Sequence, residues 1–277
     1  MPKSKTTKSA LIIIILTLGS KFLGFLREVL IAAKFGSGME TDTFFIALSA
    51  AALIGNFLKN AINTTFIPVI SEIESIEGRN GKMEHTNNMI NVIAVVSIVL
   101  IIIAFIGSPV IVKLLASGFE GEQFDLAVKL TRIGLPIIFF SGIIGVMMGY
   151  LQSEGRFNAT AIIGFPFNFV YIFYLLFLSS TFGIKYLMVT AIFAVFSQLL
   201  VQIPEAKNSG LKYRFVLDIN DQYIRKTLFL SLPVFIGVAI NDLNAIVDKT
   251  LASSLITGSI SALNYANKLN ELILGVF

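Results

Sequence analysis

The 277-residue chain has no cysteine, no tryptophan and a single histidine, and only 14% of its residues are charged. Without cysteine there is no disulfide framework, no thiolate metal site and no cysteine nucleophile. Without tryptophan, any aromatic belt at a membrane surface falls to the 7 tyrosines and 25 phenylalanines. Soluble domains are about one quarter charged. This chain combines its low charge with 55% hydrophobic residues and a mean hydropathy of +0.83, so it is not a soluble globular domain. Catalytic signatures are missing too: there is no His/Cys/carboxylate cluster, no G-x-S-x-G and no G-x-x-x-x-G-K. An ATP-driven pump has no nucleotide motif to rest on. The sequons at Asn63 and Asn158 are coincidental, given their expected membrane or cytoplasmic placement.

What is present is a series of apolar runs, each near the roughly 20 residues needed to cross hydrocarbon. Spans are expected at 10–33, 41–70, 89–115, 127–151, 158–181, 184–205, 228–255 and 259–277. A β-barrel would show short alternating segments instead. The first span has the basic start of a signal peptide but no small-residue cleavage site, so it is read as uncleaved. The last run is still apolar at Phe277, which reads as a chain truncated after its eighth span. Eleven lysines and arginines fall on one side: Lys3, Lys5, Lys8, Arg79, Lys82, Arg156, Lys207, Lys212, Arg214, Arg225 and Lys226. The other side holds Lys34, Lys113 and Lys185. This asymmetry puts the N-terminus in the cytoplasm. The net charge of +4 follows from loop placement and is no nucleic-acid signal. His85 and the acids at 72, 74 and 77 are expected in a solvated cytoplasmic loop.

Seven basic residues remain within or at the edge of spans: Lys21, Arg27, Lys59, Lys129, Arg132, Lys249 and Lys268. Each would cost about 2.5–3.5 kcal/mol at a helix centre facing lipid, roughly 20 kcal/mol together. Lys129 and Arg132 lie early in their span and can snorkel to the outer surface. The other five need water or a counter-ion, which marks them as functional candidates. Asn56, Asn60 and Asn63 share one face of the second span; Asn241, Asn244 and Asp248 repeat that period, as do Asn264, Lys268 and Glu271. Lys21 and Glu28 share a face from which Arg27 is rotated. Asparagines alone would fit helix-to-helix glue; full charges on spans one, two, seven and eight fit a water-accessible cavity better. Spans three, five and six carry almost no charge and read as packing or lipid-facing helices. A weak repeat links the ends: Glu28 to Gly38 and Asp248 to Gly258 are equally spaced, with Phe45 and Tyr265 at matching places, as in parallel structural repeats.

The stretch SKFLGFLREVLIAAKFGSGMETDTFFIA at 20–47 closely resembles the opening of the MurJ (MviN) family, the lipid II flippases. TTFIPVISE at 64–72, LTRIGLP at 130–136, GYLQSEGRF at 149–157 and DKTLASSLITGSISALNYANKLNE at 248–271 follow in order. The resemblance implies an all-α polytopic membrane protein of the multidrug/oligosaccharidyl-lipid/polysaccharide exporter superfamily. It would have a six-helix N-lobe (1–206), a cytoplasmic linker (207–227) and the first two helices of a pseudo-symmetric second lobe (228–277), around a central cationic cavity. Lys21, Arg27, Lys59, Lys249 and Lys268 would then bind a diphosphate head group, with Glu28, Asp42 and Glu271 as gating or charge partners. Asn56, Asn60 and Asn264 would line the cavity. Two departures stand out: basic residues midway along helix two are replaced by Ile54–Gly55–Asn56, and several expected arginines are lysines, which lack the bidentate fork. Asp242 and Asp248 are candidate ligands for a coupling monovalent cation, with the membrane potential as another driving force; no cofactor is expected. The implied protein is a transporter and not an enzyme, a monomer in the bacterial cytoplasmic membrane. It would take lipid II as substrate, with lipids and no nucleic acid as partners. The rival readings are a flippase for another polyprenyl-diphosphate oligosaccharide, such as an O-antigen or capsule unit, an inactive fragment, and a membrane glycosyltransferase. The last lacks the large extramembrane loop it would need.

Overall fold

The computed structural model describes residues 3–276, with side chains described outside 3–10, 235, 238–243 and 275–276. Ten α-helices follow in order: α1 (Lys3–Phe35), α2 (Met39–Leu115), α3 (Gly121–Gly134), α4 (Pro136–Ser153), α5 (Phe157–Ala161), α6 (Gly164–Phe173), α7 (Ser179–Phe182), α8 (Leu187–Asn208), α9 (Gln222–Ser253) and α10 (Ser259–Val276). A π-helical turn, Tyr174–Leu178, joins α6 to α7, and a 3-10 turn, Ile184–Tyr186, leads into α8. Each expected span falls mainly on helix, Phe277 lying outside the described residues, and there is no strand among the described residues. Four helical stretches meet the length and hydropathy of a membrane crossing: Met39–Leu115, Gly121–Ser153, Phe157–Phe182 and Ile184–Asn208.

The 77 residues of α2 serve two expected spans, because Gly78 takes φ 70° and ψ −167°, outside the helical region and open only to a residue without Cβ. The chain reverses there. Lys82 Nζ reaches Glu74 Oε2 at 2.7 Å and His85 Nε2 reaches Glu77 Oε2 at 2.9 Å, pairs eight residues apart that a straight helix would hold about 12 Å apart. This corrects the expected loop. Residues 71–88 are helical around an elbow, and neither the acids at 72, 74 and 77 nor His85 is simply solvated. Glu72 pairs with Lys226, while His85 Nδ1 sits 2.5 Å from Asp221 Oδ2. Lys82, expected in the basic loop, is 1% exposed and also bonds Glu154 Oε1 at 2.6 Å.

Packing follows residue size. A Cβ on Gly145 of α4 would lie 2.7 Å from the Lys59 carbonyl oxygen, so α4 and the first arm of α2 touch backbone to backbone. The second arm turns Val95, Ile98, Val99, Ile102, Ile103 and Ile106 outward, and α6 and the π turn turn out Phe169, Phe173, Leu176 and Phe177. These exposed apolar rows fit the lipid-facing role expected of spans three and five.

Removing Lys82 leaves Glu154, 15% exposed, without its close cation. Lys82→Met is expected to cost about 3 kcal/mol of stability. Adding Glu154→Gln should recover part of it. Thermal unfolding in detergent, followed by size-exclusion chromatography, tests both.

Candidate functional site

Between α1, α2, α4, α6, α8 and α10 lies a cavity of about 380 Å³. Arg27, Glu28, Asn56, Lys59, Asn264 and Lys268 line it, with Ser49, Ser141 and Gln198 as further polar groups and Phe167 and Tyr171 as aromatic wall. Its centre is an Arg27–Glu28 pair. Arg27 Nη2 donates to Glu28 Oε1 at 2.6 Å, and Arg27 Nη1 donates to Asn168 Oδ1 at 3.2 Å. The guanidinium carbon lies 5.0 Å from the Tyr171 ring centroid and 5.3 Å from that of Phe167. Asn264 Nδ2 of α10 donates to the other Glu28 oxygen at 3.2 Å, so the first and last helices meet on one carboxylate. Lys59 lines the same space and has no ion-pair partner among the described residues.

A smaller cleft of about 220 Å³ adjoins the cavity through Arg27 and Lys268, and it holds Lys21 and Glu271. Lys268 Nζ donates to Glu271 Oε2 at 2.5 Å. The expected partition of faces on α1 is therefore corrected. Arg27 lines the cavity together with Glu28, whereas Lys21 is exposed and opens only onto the side cleft. Lys249 lines a third cleft with Ser49 and Asn56, and its amine donates to the Ser49 hydroxyl. Asn60 is exposed and lines neither the cavity nor these clefts. Asp248 is exposed on α9, and the side chain of Asp242 lies outside the described residues.

Asp42 sits apart, 2% exposed, and caps the first turn of α10. Its carboxylate accepts from the Gly258 N–H at 2.6 Å, from the Ser261 N–H at 2.7 Å and from the Ser261 hydroxyl. These are the orphan donors at the start of α10, to which a carboxylate is also drawn by the helix dipole. Close by, the Tyr265 hydroxyl donates to the Gly36 carbonyl at 2.8 Å and the Tyr265 ring meets Phe45 edge-on at 5.7 Å. The two residues matched by the internal repeat thus touch. At the same end Gly118 N–H donates to Ser253 Oγ at 3.0 Å and Thr250 Oγ1 to the Leu114 carbonyl at 2.8 Å.

A family model described as lipid II flippase MurJ matches residues 31–277. The chain belongs to that family. Among curated MurJ relatives, the probable lipid II flippase of Buchnera aphidicola subsp. Baizongia pistaciae is 31% identical over 98% of this chain and 54% of its own length. The one from Haemophilus influenzae is 28% identical over 95% and 54%. A solved structure titled lipid II flippase MurJ, inward closed conformation, superposes with a TM-score of 0.78 at 25% identity, covering 96% of this chain and 56% of that one. An inward-facing multidrug resistance MATE transporter shares the fold at 14% identity, with a TM-score of 0.70. The chain spans about half the length of the curated MurJ relatives it matches.

Sequence reasoning missed Asn168 of α6, which is 4% exposed, accepts from Arg27 and ties α6 to α1 by donating to the Ser20 carbonyl at 3.1 Å. Its signal was present: it is the only amide in the apolar run between Ile162 and Leu178.

Asp42→Ala removes the cap of α10, worth about 1–2 kcal/mol, and should weaken the contact between α10 and the start of α2 by roughly 5- to 30-fold. Because the chain has no cysteine, Gln198→Cys gives a single reporter in the cavity. Its labelling by a membrane-impermeant thiol reagent should rise when Asp42→Ala is added.

Proposed function

We propose that this chain forms one cation-lined half of a flippase for lipid II, working by alternating access between an N-lobe at 1–206 and a second lobe beginning at 228. The observation that carries the reading is Lys59: a half-buried cation without an ion-pair partner among the described residues, in a cavity whose other central cation, Arg27, is held by Glu28. A diphosphate head group is an anion that hydrocarbon excludes. Such a cavity offers it charge-assisted hydrogen bonds in place of hydration. Lys268 and Lys21, across the adjoining cleft, extend the same surface toward lipid. Names of the relatives support lipid II over another polyprenyl-diphosphate oligosaccharide. The polyprenyl tail would stay in the bilayer while the head group crosses.

In this reading the N-terminus and the Gly78 elbow face the cytoplasm of a bacterial inner membrane, on the side that collects the basic loops. The Asp42–α10 contact is the outer gate, which opens when the lobes rock apart. Driving force would come from the membrane potential, about 2.3 kcal/mol per charge per 100 mV, or from a monovalent cation at Asp248 or Asp242. The transporter would act as a monomer.

Complementation tests the reading. In a host depleted of its lipid II flippase, the chain is expressed alone and joined to the C-terminal half of a curated relative. Rescue by the joined form, lost with Arg27→Ala and with Lys59→Ala, is expected. Failure of the joined form despite normal membrane insertion would move the assignment to another lipid-linked oligosaccharide. Rescue by the joined Arg27→Ala and Lys59→Ala forms would remove the cavity from the mechanism.

A further inference from the structure

The segment between α8 and α9, part of the expected cytoplasmic linker, has its main chain held against the second arm of α2 by three asparagines. Asn87 Nδ2 donates to the Lys212 carbonyl at 2.9 Å, Asn91 Nδ2 to the Val216 carbonyl at 2.8 Å and Asn88 Nδ2 to the Asp218 carbonyl at 2.9 Å. The Asp218 N–H returns a bond to Asn88 Oδ1 at 2.8 Å. Asp221 then caps α9, accepting from the Tyr223 N–H at 2.7 Å and facing His85. The order of these partners along α2 traces the path of the segment. It climbs from Asn87 to Asn91 and comes back to Asn88 and His85, so 215–217 form its tip.

That tip lies one helical turn, about 5.4 Å, below Val95. Val95 shares the α2 face of Asn91 and Asn87, and it opens the exposed apolar row that continues through Ile98, Val99 and Ile102. The segment therefore covers the face of α2 where that face passes from protein-covered to lipid-facing. Its own side chains suit such a depth. Tyr213, Phe215, Leu217 and Ile219 stand at every second position and are 62%, 75%, 46% and 67% exposed, the Tyr213 hydroxyl turning back to Asn91 Oδ1 at 2.7 Å. Lys212 and Arg214 alternate with them and line a cleft of about 520 Å³ with Asn80, Glu84 and Asn87. Large apolar groups interleaved with cations are the pattern of a segment lying in the plane of a membrane surface.

We propose that residues 212–219 are a membrane-surface anchor: the tip seats in the head-group layer beside α2, with an anionic phospholipid phosphate against Lys212 and Arg214. The occupant is a lipid because the exposed apolar side chains lie about one turn from the exposed apolar row of α2, and Lys212 and Arg214 outnumber Glu84 in the cleft beside them. The anchor fixes the depth of the segment that joins the two proposed lobes. It rests on the chain crossing the membrane, and it does not depend on what the cavity carries.

The absence of tryptophan makes the test direct. Phe215→Trp is placed in the full chain and reconstituted into vesicles of phosphatidylcholine, with or without phosphatidylglycerol. Phe177→Trp, on the exposed apolar face of the π turn, serves as the buried-in-lipid control. The expected result is blue-shifted emission from position 215, quenched by lipids brominated near the head group and shielded from acrylamide. Quenching should strengthen with phosphatidylglycerol. Lys212→Gln and Arg214→Gln should each lower the seated-to-lifted ratio about fivefold on the anionic vesicles, the effect of one basic side chain at such a surface. Emission open to acrylamide and blind to brominated lipid, while Phe177→Trp is quenched, would overturn the proposal. So would a shielded but lipid-blind tryptophan whose signal changes with protein concentration, which would assign the surface to a second copy.

Discussion

A guanidinium placed among helices that face lipid must be neutralised, hydrogen-bonded and screened by polarizable walls, and Arg27 has all three. Glu28 supplies the charge, Asn168 an acceptor, and Tyr171 and Phe167 the ring faces. Each partner comes with a constraint. Glu28 must lie at the wall of the cavity where α10 can reach it through Asn264, and Asn168 must hold α6 against α1 through the Ser20 carbonyl. Three helices distant in sequence, α1, α6 and α10, are therefore positioned by one charge. Removing that charge would cost the pair its Coulomb energy and also leave a carboxylate uncompensated, the more expensive outcome in low dielectric.

Around this centre the chain divides its contacts by chemistry. Where helices approach closely, small residues such as Gly145 let main chain meet main chain. Where the start of α10 meets the first turn of α2 and the turn before it, polar groups bind helix ends: Asp42 on α10, Tyr265 on the Gly36 carbonyl. Bonds of the second kind can break and re-form without leaving a hole, because water can replace them. Such bonds suit a contact that must open, and packed glycine surfaces suit one that must not.

Much of this was legible in the sequence, since a run of twenty apolar residues has few alternatives to a membrane helix and a charge within one has few innocent explanations. Arg27, Glu28 and Lys268 stood out on that ground, and Asp42 through the family resemblance. The elbow at 71–91 did not. Its glutamates, lysine, histidine and asparagines look like any solvated loop, because the partners that bury them, Glu154, Lys212, Val216 and Asp221, lie about 70 to 150 residues away. Local pattern carries no information about such pairs. Asn60 failed for the opposite reason. Its i, i+4 spacing from Asn56 was right, but helical spacing names a stripe and not how far along the stripe the cavity extends.

The asparagine clasp has a further consequence for how this region can change over generations. Asn87, Asn91 and Asn88 grip carbonyl oxygens, which every amino acid provides. The clasp therefore fixes the path of residues 212–218 while placing almost no demand on their identity except at Tyr213, whose hydroxyl donates to Asn91 Oδ1 at 2.7 Å. Selection can retune the side chains of the joining segment to a new lipid environment, one substitution at a time, without loosening its hold on the helix beneath. The asparagines themselves have no such freedom.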